Sequence, residues 1–176
     1  MPESGFSIYM GIDPGLGTTG YGVLRFLSGS IELLDGGTIR SSANDPLPER
    51  LNELYCGMLE ILDKYSPVVM GLEKIYAHYK HPATAIKMAH ARGVLSLAAV
   101  RSKVRIVSLP STRIKKLITG NGRASKEQVS GMVRHLLGLT VEIKPDDVSD
   151  ALAIAIAAYE SEKYDRKFEG LSRKNG

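Results

Sequence analysis

Four carboxylates in this chain stand where an acid is a poor choice for folding and a good one for chemistry. Asp13 ends the apolar run Ile8-Tyr9-Met10-Gly11-Ile12 and precedes Pro14-Gly15. Proline and glycine stop a strand there and fix the chain direction just past the acid. Glu73 ends a second apolar run, Pro67-Val68-Val69-Met70-Gly71-Leu72. Asp147 and Asp150 open a late helical segment and, three residues apart, share one helix face. The segment beyond, Ala151 to Ala158, is apolar nearly all round, which implies burial. An acid leading into a buried helix needs an ion pair, a metal or a function. Each acid alone has an ordinary explanation: Asp13 caps a turn, Glu73 faces water, and Asp146 and Asp147 oppose a helix dipole for ~0.3–1 kcal/mol each. Together, with no cysteine cluster and no paired-histidine spacing, they form a hard oxygen donor set suited to Mg²⁺ or Mn²⁺. Two such ions about 3.5–4 Å apart activate water and stabilise a leaving oxygen in phosphodiester cleavage. Spacing alone does not bring the four acids together; the fold must.

The charge distribution points to the same substrate class. The net charge is +4, yet from Lys74 to Lys126 there is no Asp or Glu. That stretch holds twelve Lys and Arg residues, so the remainder is net acidic. A segregated basic block suits a polyanion. Lys115 and Lys116 fall on a short helix. Arg123 and Lys126 flank a glycine turn that leads into a helix N-terminus, and both places suit phosphate contacts. The loop after Glu73 offers Tyr76 to stack on an unpaired base; Tyr79 reads as packing. His90 reads as a packed or surface residue and Cys56 as core.

The elements that must position these residues follow from periodicity. Strands are expected near 8–12, 20–27 and 31–39, joined by short links that favour an antiparallel meander. Leu51, Leu54, Tyr55, Met58, Leu59 and Leu62 space an amphipathic helix over Leu47–Tyr65. A buried strand over 67–73, a long helix from Pro82 to about Lys103 and a short strand over 104–109 follow. Ser111 is expected to cap a short helix ending near Gly120. Ser125 and Gln128 form a capping box for the next helix, which ends near Gly138. The last helix is expected from about Pro145 to Glu160. The order predicts one α/β domain with a mixed sheet. Gly15-Leu16-Gly17-Thr18-Thr19-Gly20 matches GxGxxG, but a strand follows rather than the helix that a dinucleotide site needs. A single cysteine, no apolar run long enough for a membrane and an N-terminus unlike a signal peptide point to the cytoplasm.

At this level the chain resembles the RuvC family of bacterial Holliday junction resolvases. The resemblance rests on Ile12-Asp13-Pro14-Gly15 with Thr19-Gly20-Tyr21-Gly22-Val23, on Glu73 with Tyr76, and on Ala91-Arg92-Gly93. It rests also on Ile114-Lys115, on Thr119 through Lys126, and on Asp147-Val148-Ser149-Asp150-Ala151-Leu152-Ala153-Ile154-Ala155. It spans Ile8 to Tyr159. It implies an RNase H-like fold over residues 1–162, with a mixed five-stranded sheet flanked by helices; the polar, basic composition of 163–176 reads as a flexible tail. It implies a Mg²⁺-dependent endonuclease, with two ions per site and Mn²⁺ as a substitute, that nicks four-way DNA junctions symmetrically in recombination and repair. By position, Asp13, Glu73, Asp147 and Asp150 would hold the metals, and Tyr76, Lys115, Arg123 and Lys126 would meet DNA. The helix from about Ala83 to Lys103 would build a homodimer, and the RuvA–RuvB branch-migration complex would be a partner. Lys74, His81 and His90 depart from the family pattern and bear on substrate contacts rather than chemistry.

Three rivals remain at this stage. An RNase H-like nuclease that trims ribosomal RNA precursors shares the Gly-Ile-Asp start but is usually shorter. A nucleotide-binding module of the actin and sugar-kinase type needs two such domains. A catalytically silent junction binder would not need all four acids.

Overall fold

In the computed structural model, residues 5–74 and 82–172 are described, with side chains for 83–166 of the second stretch. Three strands come first: β1 (Phe6–Asp13), β2 (Thr18–Leu27) and β3 (Ser30–Arg40). Helix α1 (Leu47–Tyr65) leads to β4 (Val69–Glu73). Helix α2 (Pro82–Arg101) leads to β5 (Arg105–Leu109). Helices α3 (Ser111–Thr119), α4 (Lys126–Leu136) and α5 (Asp146–Ser172) complete the chain. The strands form one sheet in the order β3-β2-β1-β4-β5. β1, β2 and β3 pair antiparallel, while β4 joins β1 and β5 joins β4 in parallel. The expected meander and mixed α/β sheet are therefore present.

Side-chain alternation along the strands divides the core in two. Met10, Ile12, Val23, Met70 and Leu72 face α1 and α2. Tyr9, Leu24, Phe26 and Val69 face α3, α4 and α5. On α1, the buried stripe Leu54, Met58 and Leu62 follows helical spacing and faces the sheet. The chain leaves α1 through Ser66 in a left-handed conformation, φ 45°. The Ser125 capping box on α4 is formed, with Ser125 and Gln128 each bonding the other's backbone N–H.

A row of glycines lets α5 settle onto the sheet. Gly36, Gly22, Gly11 and Gly71 lie side by side across four strands. A Cβ at Gly11 would stand 2.0 Å from the Ala151 carbonyl oxygen, and one at Gly22 would stand 2.6 Å from Leu152. A side chain at either position would have to displace the helix or its leucine. The helix answers with Ala151, Ala155 and Ala158 at the contact, all fully buried.

Three expectations change. The last helix runs on to Ser172, carrying helical structure ten residues into the segment expected to fray. Its extension is fastened by Glu162, which bonds β1 and β5 side chains. Ser111 is the first residue of α3 rather than its cap, and no side chain caps that helix. Cys56 is exposed, not core; it lies on the solvent side of α1, two residues before the buried Met58. His90 is exposed, within the expected range. No helix among the described residues is long and apolar enough to cross a membrane.

Candidate active site

The sheet topology places two acids side by side. β1 and β4 run parallel with Ile12 level with Leu72, so Asp13 and Glu73 end adjacent strands at the same edge. Alternation turns both toward the α5 face, the side of Gly11 and Gly71. The glycine row then delivers the other two. A Cβ on Gly20, the partner of Asp13 across β1 and β2, would meet the Asp147 carbonyl oxygen at 2.2 Å. The first turn of α5 thus lies against the end of β1, with Asp147 and Asp150 beside Asp13.

Electrostatics register the convergence. Burial pushes the Asp13 carboxyl up to about 7, and the charges of Asp150, Asp147 and Glu73 push in the same direction. Burial also raises Glu73; Asp150 adds to the rise, while a hydrogen bond with Ser111 and the charge of Lys115 oppose it. Ser111 is the first residue of α3, with Pro110 in the cap position, and stands beside Glu73. Lys126, at the start of α4, reaches across to the acids. Its Nζ lies 3.0 Å from Asp150 Oδ2 and 3.3 Å from Asp146 Oδ2. These hydrogen bonds hold the Lys126 ammonium above its ordinary range.

All four expected acids therefore share one locus, with Lys115 and Lys126 at its rim. Arg123 is exposed in the turn before α4, where its N–H donates to Asn121 Oδ1. No contact found among the described residues joins it to the acids. Tyr76 lies outside the described residues, as do Tyr79 and His81. Sequence reasoning missed Asp146, which shares Lys126, and Arg92, whose guanidinium bonds the Glu73 carbonyl and Ser108. It also missed the glycine row, although a glycine inside each of four strands was a visible signal.

The donor set fits a divalent cation. Carboxylate oxygens are hard ligands, and a buried acid raised by three like neighbours gains from added positive charge. Among the described residues, no three acidic, His or Cys side chains converge tightly enough to be a finished ligand shell.

Comparison with known proteins identifies the lineage. The family model "Crossover junction endodeoxyribonuclease RuvC" matches residues 9–158. The chain belongs to the RuvC family. The RuvC crossover junction endodeoxyribonuclease of Rhodopirellula baltica is 43% identical over 153 residues, 87% of this chain and 86% of that protein. The corresponding protein of Desulforamulus reducens is 39% identical over 149 residues, covering 85% and 91%. Among solved structures, Thermus thermophilus RuvC in complex with Holliday junction substrate superposes with a TM-score of 0.85 at 30% identity, covering 90% of this chain and 96% of that one. The RNase H-like fold of RuvC is thus this chain's fold. The yeast mitochondrial Holliday junction resolvase Ydc2, 15% identical with a TM-score of 0.69, shares the fold.

Proposed function

We propose that this protein is a metal-dependent endonuclease that resolves four-way DNA junctions by paired symmetric nicks. The single observation that carries the chemistry is the meeting of Asp13, Glu73, Asp147 and Asp150 at one sheet edge in a chain of the RuvC family, a family of metal-dependent nucleases. Mg²⁺, two ions per site with Mn²⁺ as a substitute, is the cofactor that these acids fit. When bound, the ions supply Lewis-acid activation of water and charge stabilisation at the phosphate. The four carboxylates hold and orient them. Asp13, buried at the centre of the set, is the acid whose charge most needs that compensation. Lys126, paired with Asp150 and Asp146, and Lys115, whose charge acts on Glu73, would bring positive charge to the scissile phosphate. Hydrolysis leaves a 5′-phosphate and a 3′-hydroxyl. Arg123 tracks the DNA backbone away from the reacting atoms, and Tyr76 stacks on an unpaired base near the crossover.

A second copy of the chain is the proposed partner that makes the nicks symmetric. Ile86, Leu97 and Val100 on α2 are exposed, and Gly93 between them has open space around it. Ile86, Gly93 and Val100 follow seven-residue spacing and Leu97 falls four residues after Gly93 on the same face, as in a helix-helix seam. The RuvA–RuvB branch-migration complex and a cytoplasmic setting complete the reading, which the family membership supports.

The test is cleavage of a labelled synthetic four-way junction beside linear duplex of the same arms, with Mg²⁺ and with EDTA. Paired symmetric nicks in the junction alone, lost with EDTA, are expected. Metal-dependent cutting of RNA or of any duplex would overturn the substrate assignment. Binding without cutting in Mg²⁺ would overturn the catalytic one.

A further inference from the structure

The carbonyl of Glu73 sits at a gap in the sheet. β4 is flanked by β1 and β5, and a proline follows each flanking strand: Asp13-Pro14 and Leu109-Pro110. Glu73 is level with Leu109, and the Ile12–Leu72 pairing puts it level with Asp13. The next ladder position on either side therefore has no N–H to give, because proline lacks one. The following residue, Lys74, still donates its N–H to the Leu109 carbonyl at 2.8 Å. The Glu73 carbonyl is left needing a donor at a half-buried position, and such groups are rarely left unpaired.

Arg92 supplies it from outside the sheet. It projects from the middle of α2, donates through Nη1 to the Glu73 carbonyl and through Nη2 to Ser108 Oγ at 2.7 Å. The fork thus ties β4 to β5 at the level where Glu73 turns its carboxylate toward α5. Burial lowers the pKa of the guanidinium, and arginine remains charged in proteins under all ordinary conditions. A lysine has one ammonium point and no planar fork, so it cannot reproduce both bonds in the same geometry. The backbone of Glu73 is held from one face of the sheet while its carboxylate works on the other.

We propose that Arg92 is a positioning residue for the metal-binding carboxylate of Glu73. Its bidentate bracket supplies the donor that a proline at the next ladder position cannot. It fixes the backbone from which Glu73 reaches the cation, and it links the seating of α2 to the geometry of the site. This rests on the nuclease reading above.

The test compares wild type, Arg92→Met, Arg92→Lys and Ser108→Ala. Mn²⁺ binding is followed by electron paramagnetic resonance of the free ion, and junction nicking by Mg²⁺ titration under single turnover. Both are run below the unfolding transition of each variant. Arg92→Met is expected to weaken Mn²⁺ binding at least about fivefold and to raise the half-saturating Mg²⁺ by a similar factor. Junction affinity in EDTA should stay within about twofold of wild type. Arg92→Lys should fall between the two, and Ser108→Ala should show a smaller shift in the same direction. If Arg92→Met does not fold, the Lys and Ser108 variants decide alone. Unchanged Mn²⁺ binding and Mg²⁺ half-saturation in the folded variants would overturn the proposal. So would a loss of junction affinity equal to the loss of rate, which would make Arg92 a DNA contact. A wild type that binds Mn²⁺ but nicks no junction would instead overturn the nuclease reading and leave the positioning role measurable by metal binding.

Discussion

Helix α5 carries acids to both ends of the sheet, and the two ends are treated oppositely. At the distal end, Glu162 is held by Arg105, by the Tyr9 hydroxyl at 2.8 Å, and by Arg166. Burial alone would raise its pKa, but those hydrogen bonds and charges outweigh it and hold Glu162 below its ordinary range. Burial, with the Glu162 contact adding to it, pushes the Tyr9 phenol up to about 12, so it stays a donor. At the other end, Asp13 is buried among three acids, and its carboxyl rises to about 7. A carboxylate whose surroundings satisfy it is part of the scaffold. A carboxylate whose neighbours oppose it is waiting for something the chain does not contain.

Mutations at the two ends should therefore differ in kind. Asp13→Asn is expected to lower junction nicking by at least about 10³-fold while junction binding is kept. Gel-shift and single-turnover assays on the same preparation check this, and joint loss of binding would make Asp13 structural. Lys126→Ala and Lys115→Ala should each reduce nicking on the order of 10²-fold, with little change in melting temperature. Unchanged rates would remove them from the site. Gly20→Ala probes the seating of α5 between the two ends. Its Cβ must displace the Asp147 backbone, so overpacking of about 1–3 kcal/mol should lower the melting temperature by several degrees. Nicking should fall as well, since Asp147 moves; a fall in stability alone would detach the glycine row from catalysis. Glu162→Gln should lower the melting temperature by only about 2–4 °C and leave the nicking rate of the folded enzyme unchanged. A large rate loss would mean that the two ends are not separable.

Much of this comparison was legible in the sequence, and for physical reasons. Asp13 before Pro14-Gly15 and Glu73 at the end of an apolar run announced strand-end acids, because proline and glycine leave few other places for them. The i, i+3 spacing of Asp147 and Asp150 ahead of an apolar helix gave a shared face. α1 was read to the residue, since its stripe is regular and both ends are marked. What escaped depends on contacts between distant segments. Ser111 looked like a cap because local pattern favours serine there, but α3 starts at Ser111 itself, with Pro110 in the cap position. α5 runs past Glu160 because Glu162 finds Arg105 and Tyr9, 57 and 153 residues away in sequence. Arg92 stood out only within the Ala91-Arg92-Gly93 segment and the basic block; its role was hidden because its acceptor is a backbone carbonyl whose ladder neighbours are prolines just past two other strands. Cys56 was placed in the core by composition, whereas the helical phase puts it outside.

The most direct test is thermal melting of the metal-free protein against pH, with and without Mg²⁺. A raised acid binds its proton more tightly in the folded state than in the unfolded chain. Its contribution to stability therefore falls as pH climbs from the ordinary value of 3.8 to about 7, and levels off above. Mg²⁺ compensates the ionised form, so its stabilising effect should be small at pH 5 and large at pH 8. At pH 8 the account predicts a Mg²⁺-induced rise in melting temperature for wild type and for Glu162→Gln, and almost none for Asp13→Asn. An equal rise in all three, or none in wild type, would contradict the claim that the opposed carboxylates of α5 and the strand ends form the metal site.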